Sequence, residues 1–137
     1  MAANTTLRWL QDGKRFVSTD STGHSVTLSV PQDNFGMKPS ELILSALAGC
    51  ASVDVINILR KKRTPLSFLE VNVTAEQDED PPWTFRKIHV KFIVKGEGLT
   101  AKNIEQAIHL SEENYCSVAA TLRGVAEITT SYEILED

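Results

Sequence analysis

The stretch that decides the fold is KPSELILSALAGCASVDVINILRKKR, residues 38–63. Its middle, from Leu42 to Val53, contains no charged side chain. Ser40 is placed to cap a helix whose first turn carries the Glu41 carboxylate, and the pattern predicts that this helix ends near Lys62. Because apolar or small residues occupy every side of the segment, the sequence predicts a helix that is buried all round. Its small residues allow other backbones to come close, including those of a second chain.

Strand patterns flank this helix on both sides. Before it, TLRWLQ and KRFVST are separated by a DG tight-turn signal, and HSVTLSV alternates with period two. After it, LSFLEVNVTAEQ and TFRKIHVKFIVK are joined by DEDPP and form a predicted antiparallel pair. An amphipathic helix (LTAKNIEQAIHLSEEN), a short helix (YCSVAATLR) and a final strand (GVAEITTSYEI) complete the chain. We therefore expect one α+β domain over residues 1–137, with curved antiparallel sheets wrapped around one long, buried central helix.

Composition and charge exclude several classes of function. The chain has 137 residues, of which 42% are hydrophobic and 23% charged, and its formal charge is -4. Basic residues are not interleaved with aromatic ones, which argues against a nucleic-acid partner. No signal peptide is recognisable, and the uncharged run is shorter than the roughly 20 residues needed to span a bilayer. We expect a cytoplasmic protein with reduced or transiently paired thiols, no membrane association, no metal site and no cofactor.

The chain has two cysteines, Cys50 and Cys116. From spacing alone, Cys50 in its apolar helix is best interpreted as a small packing residue. Cys116 opens a short helix, where free backbone N–H groups favour a thiolate, so its reactive and inert interpretations stay equally open.

Two motifs together resemble the OsmC/Ohr family of osmotically inducible and organic-hydroperoxide-resistance proteins. They are KPSELILSALAGCASVDV and LSEENYCSVAATLRGVAEITTSYEI, and the order of elements also fits the family over nearly the whole chain. The resemblance implies an intertwined homodimer with two active sites at the subunit interface. It implies a peroxidase for organic hydroperoxides, in which Cys50 is the nucleophile and Cys116 the resolving thiol. A dithiol reductant, in the family often a lipoyl group, would close the cycle, without metal, flavin or haem.

The family also has a glutamate that holds a catalytic arginine, and Glu41 matches it. Glu41 and Cys50 are nine residues apart, so on one helix they point to roughly opposite faces, about 13 Å apart along the axis. If Glu41 serves a thiol, we therefore expect a dimer with facing helices. Arg15 is the nearest candidate for the arginine and Arg8 the next, although neither lies in a recognisable motif.

Other departures from the peroxidase pattern keep three functions open. Without a fixed cation, Cys50 is expected to keep a raised pKa, and Asp54 lies one helical turn further on the same face. The second motif reads CSVA where peroxidases usually have Cys-Pro-Val-Ser. The chain is therefore interpreted as a thiol-dependent peroxidase, a redox-sensing protein without rapid turnover, or a binder of a small apolar ligand.

Overall fold

The computed structural model describes residues 1–136, which contain six strands and three α-helices. In chain order these are β1 (Thr5–Trp9), β2 (Arg15–Asp20), β3 (Ser25–Ser29), α1 (Pro39–Lys61), β4 (Phe68–Gln77), β5 (Phe85–Lys95), α2 (Ala101–Leu110), α3 (Ser117–Leu122) and β6 (Glu127–Ile134). The predicted α+β class is confirmed, with two three-stranded sheets and a long helix between them in the sequence. The chain forms two compact units, residues 1–43 and residues 44–137. That residues 1–137 make up one domain stays a prediction.

The first unit is an antiparallel sheet in the order β1-β2-β3. After β3 the chain returns close to this strand, because Met37 forms a bridge with Leu28. The Ser29 hydroxyl, which is 1% exposed, accepts the backbone N–H of Gly36 at 3.0 Å. A Cβ on Gly36 would lie 2.5 Å from the carbonyl oxygen of Thr27, so only glycine fits this close approach.

The second unit contains the sheet β4-β5-β6. The pair β4–β5 is antiparallel, as predicted. The pair β5–β6 is parallel, so the prediction of wholly antiparallel sheets is wrong. Helices α2 and α3 carry the chain back along the sheet, and β6 therefore starts at the same end as β5. The inward positions of β5 are buried as its alternation predicts: Ile88, Val90, Phe92 and Val94.

Helix α1 is buried along one stripe only, which corrects the prediction of burial all round. Residues Leu47, Ala51, Val55 and Leu59 recur every fourth position and join the core with β5. The opposite side is open within this chain, where Val53 is 59% exposed. The apolar character of that side therefore does not come from packing within the single chain.

By length and composition alone, α1 could cross a membrane, since an 18-residue window has a mean hydropathy of 2.0. The sequence prediction considered only the shorter uncharged run. A core helix passes the same test, and the buried stripe of α1 lies in the core of the second unit.

The crossover from β5 to β6 positions the second cysteine. Thr100 caps α2 by accepting the N–H of Asn103 at 3.2 Å. The helix then widens into one π-helical turn, Ser111–Tyr115, at the boundary between the two helices that the sequence predicted. Cys116 leaves the helical conformation and becomes the N-cap of α3.

Candidate functional site

The structure brings the two predicted cysteines together. Cys50 lies on the flank of α1 and is partly exposed, and Cys116 is 2% exposed. Their sulfurs lie within 4.8 Å of each other, and Ser117 Oγ lies 3.9 Å from Cys50 Sγ. The start of α3 therefore faces the middle of α1, and both thiols lie at this junction.

Cys116 is held by the turn that precedes it. Its backbone N–H donates to the carbonyl of Ser111 at 2.8 Å, and its sulfur accepts the N–H of Ala119 at 3.4 Å. The thiol thus acts as the cap of a six-residue helix, a position normally taken by an oxygen-bearing side chain.

The two thiols have opposite pKa shifts. Burial raises the pKa of Cys50, but the N–H of Val118, the Cys116 thiol and the Ser117 hydroxyl donate to its sulfur, and the net result is a lowered pKa. Burial raises the pKa of Cys116, and its hydrogen bond to Cys50 raises it further, to about 11.

These shifts differ from the sequence expectations. Cys50 was expected to keep a raised pKa in an apolar helix, and the start of α3 was expected to favour a thiolate at Cys116. The N–H groups of Ser117 and Val118 instead help to lower the pKa of Cys50. At Cys116, burial outweighs the N–H of Ala119. The sequence does not show which sulfur these donors reach, because that depends on how α3 packs against α1.

A carboxylate completes the cluster. The sulfurs of Cys50 and Cys116 and a carboxylate oxygen of Asp54 all lie within 4.8 Å of one another. Ser111 Oγ donates to Asp54 Oδ2 at 2.9 Å, which orients that carboxylate. The sequence placed Asp54 on the Cys50 face, but it did not bring this residue together with Ser111.

Two openings adjoin the cluster. A cavity of about 20 Å³, room for one water molecule, is lined by Ser111, Glu112, Cys116 and apolar core residues. A wider groove of about 390 Å³ begins at Asp54 and runs between Tyr115 and the lysines Lys61 and Lys62. A small molecule in this groove can therefore reach the Asp54 carboxylate of the cluster.

The other predicted site residues, Arg15 and Glu41, belong to the first unit. Arg15 pairs with Asp12 at 2.8 Å and lies over the Phe35 ring, 5.7 Å from its centroid. Its Nε is buried and has no hydrogen-bond partner within residues 1–136. Glu41 pairs with Lys38 at 2.7 Å. Within the described part of the first unit, no ion pair joins Arg15 to Glu41, and their roles stay predictions.

The comparisons with known proteins agree with this fold. A model of the OsmC-like protein family matches residues 31–131. Protein YhfA of Escherichia coli K12 is 35% identical over 129 residues, covering 94% of this chain and 96% of YhfA. A crystal structure of a hypothetical protein from Aquifex aeolicus has a TM-score of 0.89 and 30% identity, covering 100% of this chain and 99% of that one.

The chain therefore belongs to the OsmC-like family, as its two motifs predicted. A more distant likeness reaches the organic hydroperoxide resistance protein OhrB of Bacillus subtilis. Its crystal structure has a TM-score of 0.66 and 18% identity, covering 97% of this chain and 98% of that one. At this identity the likeness shows the fold alone.

Proposed function

We propose that this OsmC-like protein is a cytoplasmic thiol peroxidase that reduces organic hydroperoxides through Cys50 and Cys116. The observation that carries the proposal is that the two sulfurs lie within 4.8 Å of each other, and their opposite pKa shifts assign the two roles. The thiolate is the nucleophile toward a peroxide, so the sulfur with the lowered pKa attacks first. The distant structural likeness to an organic hydroperoxide resistance protein supports the same chemistry.

The reaction proceeds in three balanced steps. The Cys50 thiolate attacks the peroxide O–O bond, the alkoxide leaves as the alcohol after taking up a proton, and Cys50 becomes a sulfenic acid. The Cys116 thiol then attacks the Cys50 sulfur, which forms the disulfide and releases water. A dithiol of the lipoyl type reduces the disulfide and is itself oxidised to a cyclic disulfide.

Burial suits Cys116 to the second step. A thiol that keeps its proton does not compete for the peroxide, and it lies beside the sulfur that it must attack. The groove beside Asp54 has apolar walls from Ile58, Leu110 and Tyr115, which favours a substrate with an organic group over hydrogen peroxide.

We further propose that the protein works as a homodimer in which the open side of α1 meets a second copy. Val53 and Ile43 on α1 are 59% and 40% exposed in the single chain, although they are large apolar residues. Such a dimer would also allow Glu41 or Arg15 of one copy to approach a thiol of the other copy.

The alternative function is a redox-sensing or small-molecule-binding protein with little turnover. It is favoured by the partners of Arg15 and Glu41, which pair with Asp12 and Lys38 rather than with each other. A peroxidase of this family is expected to hold its arginine on the glutamate. The rate of turnover distinguishes the two functions.

The first experiment counts thiols by intact mass after a brief pulse of cumene hydroperoxide, and in parallel after hydrogen peroxide. A fast loss of two hydrogens, mapped to a Cys50–Cys116 disulfide and reversed by dihydrolipoamide, is the expected result. Repeated turnover with the dithiol supports the peroxidase. One slow oxidation without turnover supports the sensor, and two unchanged thiols support the binder.

The dimer is tested by measuring the molar mass of the wild type and of Val53→Asp, with light scattering as each protein elutes from a size-exclusion column. We expect the wild type to have twice the chain mass and Val53→Asp to shift toward one chain mass. Val53→Ala is the matched control, because it shortens the side chain without adding charge, and it should stay dimeric. A wild-type protein that elutes as a single chain contradicts the proposal.

A further inference from the structure

The side chains of the thiol cluster are those of a metal site. The proposed peroxidase chemistry uses the two thiols but no metal. Two sulfurs and one carboxylate oxygen lie within 4.8 Å of one another, and they come from Cys50, Cys116 and Asp54. Three donors around one point carry up to three negative charges when ionised. Such a set attracts a thiophilic divalent cation, of which zinc is the one that thiolates and carboxylates bind in tetrahedral sites.

We propose that, in the reduced protein, Cys50, Cys116 and Asp54 bind one zinc ion, and that bound zinc and the Cys50–Cys116 disulfide exclude each other. The inference goes beyond the proposed function, because the metal takes no part in peroxide reduction. It also stands if the thiols have no peroxidase activity.

The spacing of the donors fits zinc after a small closure. Three atoms at most 4.8 Å apart surround a point about 2.8 Å from each. Zinc lies about 2.3 Å from sulfur and about 2.1 Å from carboxylate oxygen, so each donor moves inward by roughly half an ångström or slightly more. The backbones of Cys50 and Asp54 are held one turn apart in the same helix, so this movement needs only rotation of their side chains.

The surroundings of the donors also suit a metal. Each sulfur accepts a backbone N–H, Cys50 from Val118 and Cys116 from Ala119, and such bonds stabilise thiolates. Ser111 donates to Asp54, which is the kind of outer hydrogen bond that orients metal-bound carboxylates. A cavity of about 20 Å³, with room for one water molecule, lies beside Cys116 and Ser111.

The exclusion follows from the sulfur atoms themselves. Zinc binding displaces the protons of both thiols, and the metal then occupies the sulfur lone pairs that would attack a peroxide. When the two thiolates are oxidised to a disulfide, two electrons pass to the hydroperoxide, which becomes the alcohol and water. The disulfide sulfurs are poor zinc ligands, so the ion is released.

The test titrates reduced, metal-free, full-length protein with zinc against a chromophoric chelator. We expect one zinc per chain, with affinity lowered at least about a hundredfold in Cys50→Ser and Cys116→Ser, and about tenfold or more in Asp54→Asn. Glu113→Gln is the matched control, because it neutralises an exposed carboxylate of the neighbouring π-helical turn outside the donor set, and its affinity should equal that of the wild type. The expected rate of disulfide formation with cumene hydroperoxide is at least tenfold lower with zinc bound.

A second measurement guards against misfolded variants. Cobalt added to the wild-type protein should give a thiolate-to-metal charge-transfer band that disappears on disulfide formation. The proposal is overturned if the reduced wild type does not bind zinc competitively, or if Asp54→Asn binds it as tightly as the wild type. Disulfide formation in metal-free protein is measured separately, so failure of the metal site and failure of the peroxidase proposal give different results.

Discussion

Cys50 in α1 and Cys116 at the start of α3 have the same side chain, but their surroundings shift its pKa in opposite directions. Cys116 begins the short helix, yet burial and its hydrogen bond to Cys50 raise its pKa to about 11. Cys50 lies in the middle of a long apolar helix, and despite partial burial the donors at the start of α3 lower its pKa. The backbone N–H groups of a helix end thus activate the sulfur in front of them, which need not be the sulfur of the capping residue.

The largest expected effect is on peroxide reduction when one cysteine at a time is replaced by serine. Cys50→Ser should abolish peroxide reduction, since the thiolate that attacks is lost. Cys116→Ser should keep the first step and accumulate Cys50 sulfenic acid, which dimedone labelling and intact mass detect. Sulfenic acid on Cys116 in the Cys50→Ser variant would reverse the assigned roles.

The next largest expected effect is a difference between the alkylation rates of Cys50 and Cys116. A thiol of pKa about 11 is ionised in only about one molecule in ten thousand at pH 7, and Cys116 is also buried. We expect iodoacetamide to modify Cys50 at least about tenfold faster than Cys116 at neutral pH. Peptide mass spectrometry over a time course measures both rates, and equal rates would contradict the comparison.

A smaller effect is expected from Ser117, the first residue of α3. Ser117→Pro removes both its N–H and its hydroxyl from Cys50, while the first helical position accepts proline. The pKa of Cys50, followed by thiolate absorbance, should rise from the wild type through Ser117→Ala to Ser117→Pro. The rate of sulfenic acid formation near neutral pH should fall by about threefold to tenfold across the series.

For Ser117, the control is the N-cap conformation of Cys116, whose φ of -80° and ψ of 105° already suit a residue before proline. Helix content by circular dichroism should therefore stay constant in this series. A Cys50 pKa that is unchanged in Ser117→Pro would show that Val118 and Cys116 alone set it.

The smallest expected effect is on alkaline stability. Because the folded pKa of Cys116 is raised, its contribution to stability is present below the unfolded pKa of about 9 and is lost as pH rises toward 11. Cys50 contributes in the opposite sense, since its lowered pKa adds stability above the unfolded pKa and loses it as pH falls through the folded value. Urea unfolding of the single Cys→Ser variants across this range should therefore give opposite changes in pH slope relative to the wild type.

The spacing of apolar residues and the composition of each segment predicted much of the fold. The alternation along β5 gave its buried face, and the predicted end of α1 near Lys62 is within one residue of the observed end. Ser40 was predicted to cap this helix but lies inside it, because the helix begins at Pro39. The sequence missed the parallel pairing of β6, because alternation along a strand contains no information about the direction of its neighbour. It also assigned burial to every side of α1, since composition does not tell which side is covered within one chain.

The sequence predicted the two cysteines of the site, but it did not predict their pKa shifts or their hydrogen-bond partners. The family motifs named Cys50 and Cys116, and the structure brings them together. The pKa shifts and the bond between Ser111 and Asp54 depend on side chains more than fifty residues apart in the sequence, so local patterns could not give them. Glu41 and Arg15 have local partners in the first unit, and their roles stay predictions.

The parallel pairing of β5 with β6 has a consequence for the order of events during folding. Lys87 pairs with Glu127, forty residues away, so this pairing closes a long loop that contains α2 and α3. Contacts of such long sequence separation form late, because closing the intervening loop is costly in entropy. Cys116 lies inside that loop, so a chain that is still folding carries two separate thiols of ordinary reactivity. The difference in pKa between the Cys50 and Cys116 thiols therefore arises only once the chain has folded. Any reactivity that depends on this difference arises at the same stage.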